Sequence, residues 1–184
     1  MTTNDIKNGM SLIFEGRLVQ VVEFQRVKPG KGASFVRARL RDFKSGQLLD
    51  QTWKGEQKLE PAFIESRKFE YIYRDGDHYY FMEQETYEQV PVDAELVGAG
   101  AKFLKENTPA TLMVHGAEIV AVNLPDFVIL EVTQTDPGVR GDTATGSFKP
   151  ATLETGATVQ VPLFVTQGDH VKVDARTGAY VERA

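Results

Sequence analysis

The sequence predicts an all-β chain of small barrels set one after another, and three observations carry that prediction. Short segments rich in β-branched and aromatic residues alternate apolar with polar side chains, as half-buried strands do. Turn signals such as Glu15-Gly16, Lys44-Ser45-Gly46 and Asp75-Gly76-Asp77 punctuate them. One stretch alone, residues 95–107, has a helical pattern, with Leu96, Ala99, Phe103 and Leu104 on or near one face.

In chain order, strands are expected at residues 11–14, 18–27, 34–42 and 47–53, the pattern of a small SH3-like barrel. A second set follows at 68–74 and 78–83, joined by the Asp-Gly hairpin signal, and at 110–114 and 119–124 beyond the helix. Strands interrupted by one helix give the layout of an oligonucleotide- and oligosaccharide-binding (OB) barrel. A third set lies at 128–132, 151–153, 158–161, 170–174 and 179–182, again barrel-like. Composition changes near Phe63 and Phe127 divide the chain into domains at 1–63, 64–127 and 128–184. Pro61 and Leu124-Pro125 mark short linkers. The stretch from 135 to 149 has no apolar periodicity and exceeds what barrel closure needs, so it is either a binding loop or slack.

The first module holds the most distinctive local feature, Lys31 within Val27-Lys28-Pro29-Gly30-Lys31-Gly32. Pro29 fixes its own φ and disfavours helix at Lys28, while Gly30 and Gly32 can take the positive φ of a reversal. The run is therefore expected to be a hairpin tip that holds out a hydrated lysine cation; a solubilising turn lysine is the plain alternative. In the following strand Arg37, Arg39 and Arg41 alternate with Val36, Ala38 and Leu40, predicting one basic and one apolar face.

Composition narrows the function. With 41% hydrophobic and 26% charged residues, no run of about 18 apolar residues and no leader-like start, a cytoplasmic protein without a membrane span or secretory signal is expected. The absence of Cys excludes disulfides, thiolate metal sites and cysteine nucleophiles. The net charge of −5 divides unevenly, +4 for residues 1–63, −7 for 64–127 and −2 for 128–184. A basic module attached to acidic ones suits polyphosphate contact at one end without indiscriminate nucleic-acid adhesion. His78, His115 and His170 are scattered without ligand spacing, so no metal is expected, and Gly30-Lys31-Gly32 lacks the spacing of a phosphate-binding P-loop. Glu83, Glu85 and Glu88 read as a solvated acidic face. Tyr71, Tyr73, Tyr79, Tyr80 and Phe81 could stack on bases, although about half of them must face a core. Without a catalytic constellation or a cofactor motif, a binder is expected rather than an enzyme.

Several runs together are similar to one family. They are the tip itself, Tyr71 to Gly76 with Phe81-Met82, Glu85-Thr86-Tyr87-Glu88-Gln89, Gly141-Asp142-Thr143-Ala144, Lys149-Pro150-Ala151-Thr152-Leu153, Val161-Pro162-Leu163-Phe164-Val165 and Tyr180-Val181-Glu182-Arg183. Over its whole length the chain resembles the bacterial elongation factor P family of translation factors. The resemblance implies an SH3-like (KOW-like) domain followed by two OB-fold barrels in an L-shaped, transfer-RNA-like arrangement, without a cofactor, acting as a monomer. It implies binding to the ribosome between the peptidyl and exit sites and relief of stalling at consecutive prolines. Its partners would be peptidyl-tRNA, ribosomal RNA, messenger RNA at the exit site and a lysine-modifying enzyme.

Carried over residue by residue, the resemblance places Lys31 at the acceptor end of the peptidyl-tRNA and makes it the modifiable position, on a tip shaped by Lys28, Pro29, Gly30 and Gly32. The basic face of Arg37, Arg39 and Arg41 would steer toward phosphate. Gly141, Asp142 and Thr143 would face the exit-site codon, unless they form only an Asx-type turn. Tyr180 and Arg183 could contact RNA or simply close a barrel. A different class of function also fits the residues: a ribosome-independent single-stranded RNA-binding or chaperone module that stacks bases on Tyr71, Tyr73 or Tyr79.

Overall fold

The computed structural model describes residues 1–138 and 147–184, and there the regular structure is nearly all strand, in three five-stranded sheets. The first sheet contains β1 (Ser11–Phe14), β2 (Arg17–Val27), β3 (Phe35–Asp42), β4 (Leu48–Lys54) and the two-residue β5 (Glu60–Pro61). They are antiparallel in the order β4-β3-β2-β1-β5. Strict alternation in β3 explains the sheet's two faces: Val36, Ala38 and Leu40 are buried, and Arg37, Arg39 and Arg41 are exposed. The buried face meets Ile6, Leu12, Val19, Val21 and Trp53 in one apolar cluster, each large side chain adding about 1.5–3 kcal/mol by leaving water. A bulge between Val21 and Glu23 bends β2 just beyond its last pairing with β1 at Gln20, and β3 and β4 continue beside it to Phe35 and Lys54.

The second sheet is built from β6 (Glu65–Asp75), β7 (His78–Glu83), β8 (Gln89–Asp93), β9 (Pro109–His115) and β10 (Glu118–Asn123), in the order β10-β9-β6-β7-β8. Its β6–β7 hairpin closes at Gly76, whose φ of +57° suits the reversal between Asp75 and His78. Tyr71, Tyr79 and Phe81 are buried, whereas Tyr73 is 42% exposed and stacks on half-buried Tyr80. Strand β8 escaped the sequence reading because Pro91 argues against a strand; it is tolerated because β8 is an edge. Glu83 also departs from expectation. It is buried, not part of a solvated acidic face, and its carboxylate accepts the Thr86 hydroxyl.

The expected helix at 95–107 is replaced by one turn of α1 (Ala94–Val97) and a 3-10 helix over Gly98–Phe103. Gly98, at φ +77°, cannot continue a right-handed helix, and this rotates the apolar positions: Val97, Phe103 and Leu104 are buried while Ala99 is exposed. Phe103 joins the core of the third sheet with Leu130, Val132, Leu153 and Val171.

That sheet comprises β11 (Phe127–Thr135), β12 (Phe148–Leu153), β13 (Thr158–Pro162), β14 (His170–Asp174) and β15 (Ala179–Arg183). Its antiparallel order β13-β12-β11-β14-β15 brings the two edge strands against each other, so the sheet nearly closes on itself. The chain forms two compact units, Met1–Arg67 with Leu112–Ala121, and Lys68–Thr111 with Val122–Ala184. No described helix is long and apolar enough to cross a membrane.

Candidate functional site

Strands β2 and β3 remain paired as far as Val27 and Phe35, and the chain between them opens into the seven-residue loop 28–34 with Lys31 at its centre. Every residue of this loop is exposed. The reversal is wider than a two-residue turn, and it places a positive φ at only one of the two expected glycines: Gly32 lies at +115° and Gly30 does not share that region. Pro29 leans on the same corner, since a Cβ at Gly32 would sit 3.7 Å from its ring. Among the described residues Lys31 and Lys28 have no ion-pair partner. The root of the loop is anchored where the Ser34 carbonyl accepts the Gly55 N–H at 2.8 Å.

Beneath the tip, cross-strand register sets out the charged face in rows. Val27, Phe35 and Lys54 form the first row, Gln25, Arg37 and Thr52 the second, and Glu23, Arg39 and Asp50 the third. Arg39 lies 3.1 Å from Glu23 and 3.0 Å from Asp50, and its hydrogen bond to Asp50 together with both charges raises its pKa. The basic stripe is therefore partly neutralised at its centre. Arg37 covers the Phe35 ring, and Arg41 has no ion-pair partner among the described residues. Cationic character is concentrated toward the tip, at Lys28, Lys31, Arg37 and Lys54.

The other residues singled out from sequence lie elsewhere. Gly141, Asp142 and Thr143 fall outside the described residues. At the entry to their segment, Gly138 packs so closely that a Cβ would stand 2.6 Å from the Leu163 carbonyl oxygen. Buried Lys149 donates from its ammonium to the Asp136 carbonyl, a tie that sequence reasoning missed because a lysine beside a proline gives no sign of burial. Tyr180 is half-buried against the third core, and Arg183 covers the exposed Phe164 ring at 5.7 Å with Asp169 3.9 Å away. Tyr71 and Tyr79, candidates for base stacking, are buried. No cluster of metal-ligating side chains occurs among the described residues.

Comparison with known proteins covers all three sheets. Residues 2–59 match the family model for the elongation factor P KOW-like domain, 64–122 that for its OB domain, and 128–183 that for its C-terminal domain. Among curated relatives, an elongation factor P of Acidothermus cellulolyticus is 51% identical over 100% of this chain and 98% of its own length. One of Acetivibrio thermocellus is 46% identical over 100% and 99%. A solved structure described as eukaryotic translation initiation factor 5A from Methanococcus jannaschii superposes with a TM-score of 0.53 at 20% identity, over 68% of this chain and 90% of that one, a likeness of fold. The expected all-β class with KOW-like and OB domains holds, and the chain belongs to the elongation factor P family of translation elongation factors.

Proposed function

We propose that this elongation factor binds the ribosome between the peptidyl and exit sites and promotes peptide-bond formation at consecutive prolines, with Lys31 reaching the acceptor end of the peptidyl-tRNA. Proline is a constrained secondary amine, so productive alignment of donor and acceptor is seldom populated. A factor that holds the tRNA end lowers the barrier by positioning and needs no acid, base or nucleophile of its own. The observation that carries this reading is Lys31 itself: a cation without an ion-pair partner among the described residues, central in a fully exposed loop on an anchored root. Its charge serves backbone and ribose oxygens, and Lys28 with Arg37 and Arg41 meets phosphate.

On the same reading the chain works as three modules, 1–63, 64–127 and 128–184, as a cytoplasmic monomer away from membranes. Gly141 to Thr143 lie toward the exit-site codon, Tyr180 and Arg183 lie near RNA, and Lys31 is open to a modifying enzyme. Reconstituted translation of a reporter with three consecutive prolines tests it: the protein should relieve the stall, and failure to do so would contradict it. Exposed Tyr73, stacked on half-buried Tyr80, supports the second reading, free single-stranded RNA binding. That reading requires tight, steeply salt-dependent binding to naked RNA, whereas the ribosomal reading expects weak binding.

A further inference from the structure

The loop that carries Lys31 is free at its tip but enclosed at its root by a chain of hydrogen bonds through residues far apart in sequence. On the β2 side, Arg26 is the next-to-last residue of the strand before the loop. Its Nη2 donates to the Asn4 carbonyl at 2.7 Å and to the Ile6 carbonyl at 3.3 Å, and its guanidinium covers the Phe24 ring at 5.1 Å. These carbonyls belong to the N-terminal segment, whose 3-10 helix Thr3–Asp5 is capped by Thr2 and Asp5 acting on each other's backbone N–H groups. The Asp5 carboxyl is held below its usual range, chiefly by the Thr2 N–H, so the cap persists in its ionised form at neutral pH.

From there the chain of bonds passes to the other side of the loop. Thr3, with no exposed surface, donates its hydroxyl to the Gly55 carbonyl at 3.2 Å and accepts the Gln57 N–H at 3.2 Å. Its own N–H donates to the Gln57 carbonyl at 2.9 Å. Gly55 in turn donates its N–H to Ser34, the last residue of the loop, at 2.8 Å.

From this arrangement we infer that the N-terminal turn is a positioning collar for the lysine tip, with Arg26 and Thr3 as the side chains that close it. Beyond the bulge at Val21/Glu23, β2 has lost β1 from its outer edge while β3 and β4 continue beside it to Phe35 and Lys54, and the Arg26 bonds to the Asn4 and Ile6 carbonyls tie that uncovered edge to the N-terminal segment. The collar joins residues 26 and 34 through residues 3–6 and 55–57, fixing the direction of the loop while leaving Lys31 without a tie. A cation that acts by positioning needs this combination, because a root that wanders spreads the reach of the long side chain. The inference rests on the reading that Lys31 acts on the peptidyl-tRNA, and it adds residues that touch no substrate.

The test compares the wild type with Arg26→Met, which keeps an apolar stem over Phe24, and Thr3→Val, which keeps shape and removes both side-chain bonds. In 15N relaxation of the full chain, order parameters at residues 26–28 and 33–35 are expected near about 0.85 in the wild type and below about 0.6 in both variants. For Arg26→Met the melting temperature should fall by less than about 5 °C. In three-proline translation its maximal rate should drop about tenfold, with the half-saturating factor concentration within about twofold of wild type. A merely structural role would instead lower the melting temperature and raise the half-saturating concentration together. Unchanged order parameters overturn the inference whatever the translation assay shows. Loosened order with an unchanged maximal rate overturns the link between collar and tip. A wild type inactive in translation contradicts the reading of Lys31, and the order parameters then decide the collar alone.

Discussion

Two hairpins in this chain start from nearly the same strand and end in opposite ways. Strands β2 and β6 each have 11 residues, and each is bulged against its partner, at Val21/Glu23 and at Tyr71/Tyr73. The β6–β7 hairpin then closes at once, pairing Asp75 with His78 across Gly76 and Asp77. The β2–β3 hairpin instead spends residues 28–34 on an open loop that buries nothing. Closure needs only two residues, so the additional five answer to something other than folding. The contrast teaches that the two ends are independent: one turn closes its sheet, and the other leaves seven residues exposed, as the proposed function requires.

The most drastic way to break the comparison is to exchange the ends. Replacing residues 28–34 with a two-residue Asn-Gly turn should leave the melting temperature within a few degrees, since no core contact is lost, and reduce three-proline translation to the factor-free rate. A smaller effect is expected at the closing turn. Gly76→Val forces a β-branched residue to φ +57°, costing about 1–2 kcal/mol, visible in calorimetry, with translation at saturating factor unchanged. Gly32→Ala should do the reverse: the strain at φ +115° falls on a loop that stability does not depend on, so the rate falls severalfold while unfolding barely shifts.

Two carboxyls away from the hairpin tips, one in the first sheet and one beside the third, make stability depend on pH. Burial opposes ionisation of Glu154, yet the Glu131 N–H and the Lys105 ammonium, both 3.0 Å away, outweigh it and hold its carboxyl below the usual range. At Asp42 burial is likewise outweighed, by the N–H groups of Ser45 and Lys44. Carboxyls depressed in the folded state add stability that is complete above the unfolded values near about 4 and is lost as pH falls through the lower folded ones. Thermal unfolding should thus be level from neutral to about pH 5 and weaken below, with a shallower decline in Glu154→Gln. The least effect belongs to Arg39→Ala: loss of its exposed, solvent-screened pairs with Glu23 and Asp50 should barely shift the melting temperature, and less still in high salt.

The parts of this molecule that could be read from sequence are those written in neighbouring residues. Alternation along Val36 to Arg41 gives the two faces of β3, Asp75-Gly76-Asp77 gives a tight hairpin, and Pro29 with Gly32 gives a reversal around Lys31. Signals that conflict locally were misread: Pro91 hid an edge strand, and Gly98 cut short a helix that Leu96 and Phe103 suggested. What had no local sign at all was long-range. Arg26 meets Asn4 and Ile6, Thr3 meets Gly55, and Gly55 meets Ser34, across 20 to 52 positions, and neither spacing nor periodicity reports such meetings. Burial of Glu83 and Lys149 was equally invisible, because the tertiary or turn contacts that hold them, such as Thr86 for Glu83 and Asp136 for Lys149, leave no local pattern.

The central claim is that Lys31 acts after the factor is seated. Occupancy of ribosomes stalled at three consecutive prolines should therefore be measured for the wild type and Lys31→Ala at equal concentration, alongside the rate of release from the stall. Equal occupancy with loss of most of the rate is the predicted result. An unimpaired rate in Lys31→Ala would contradict the account.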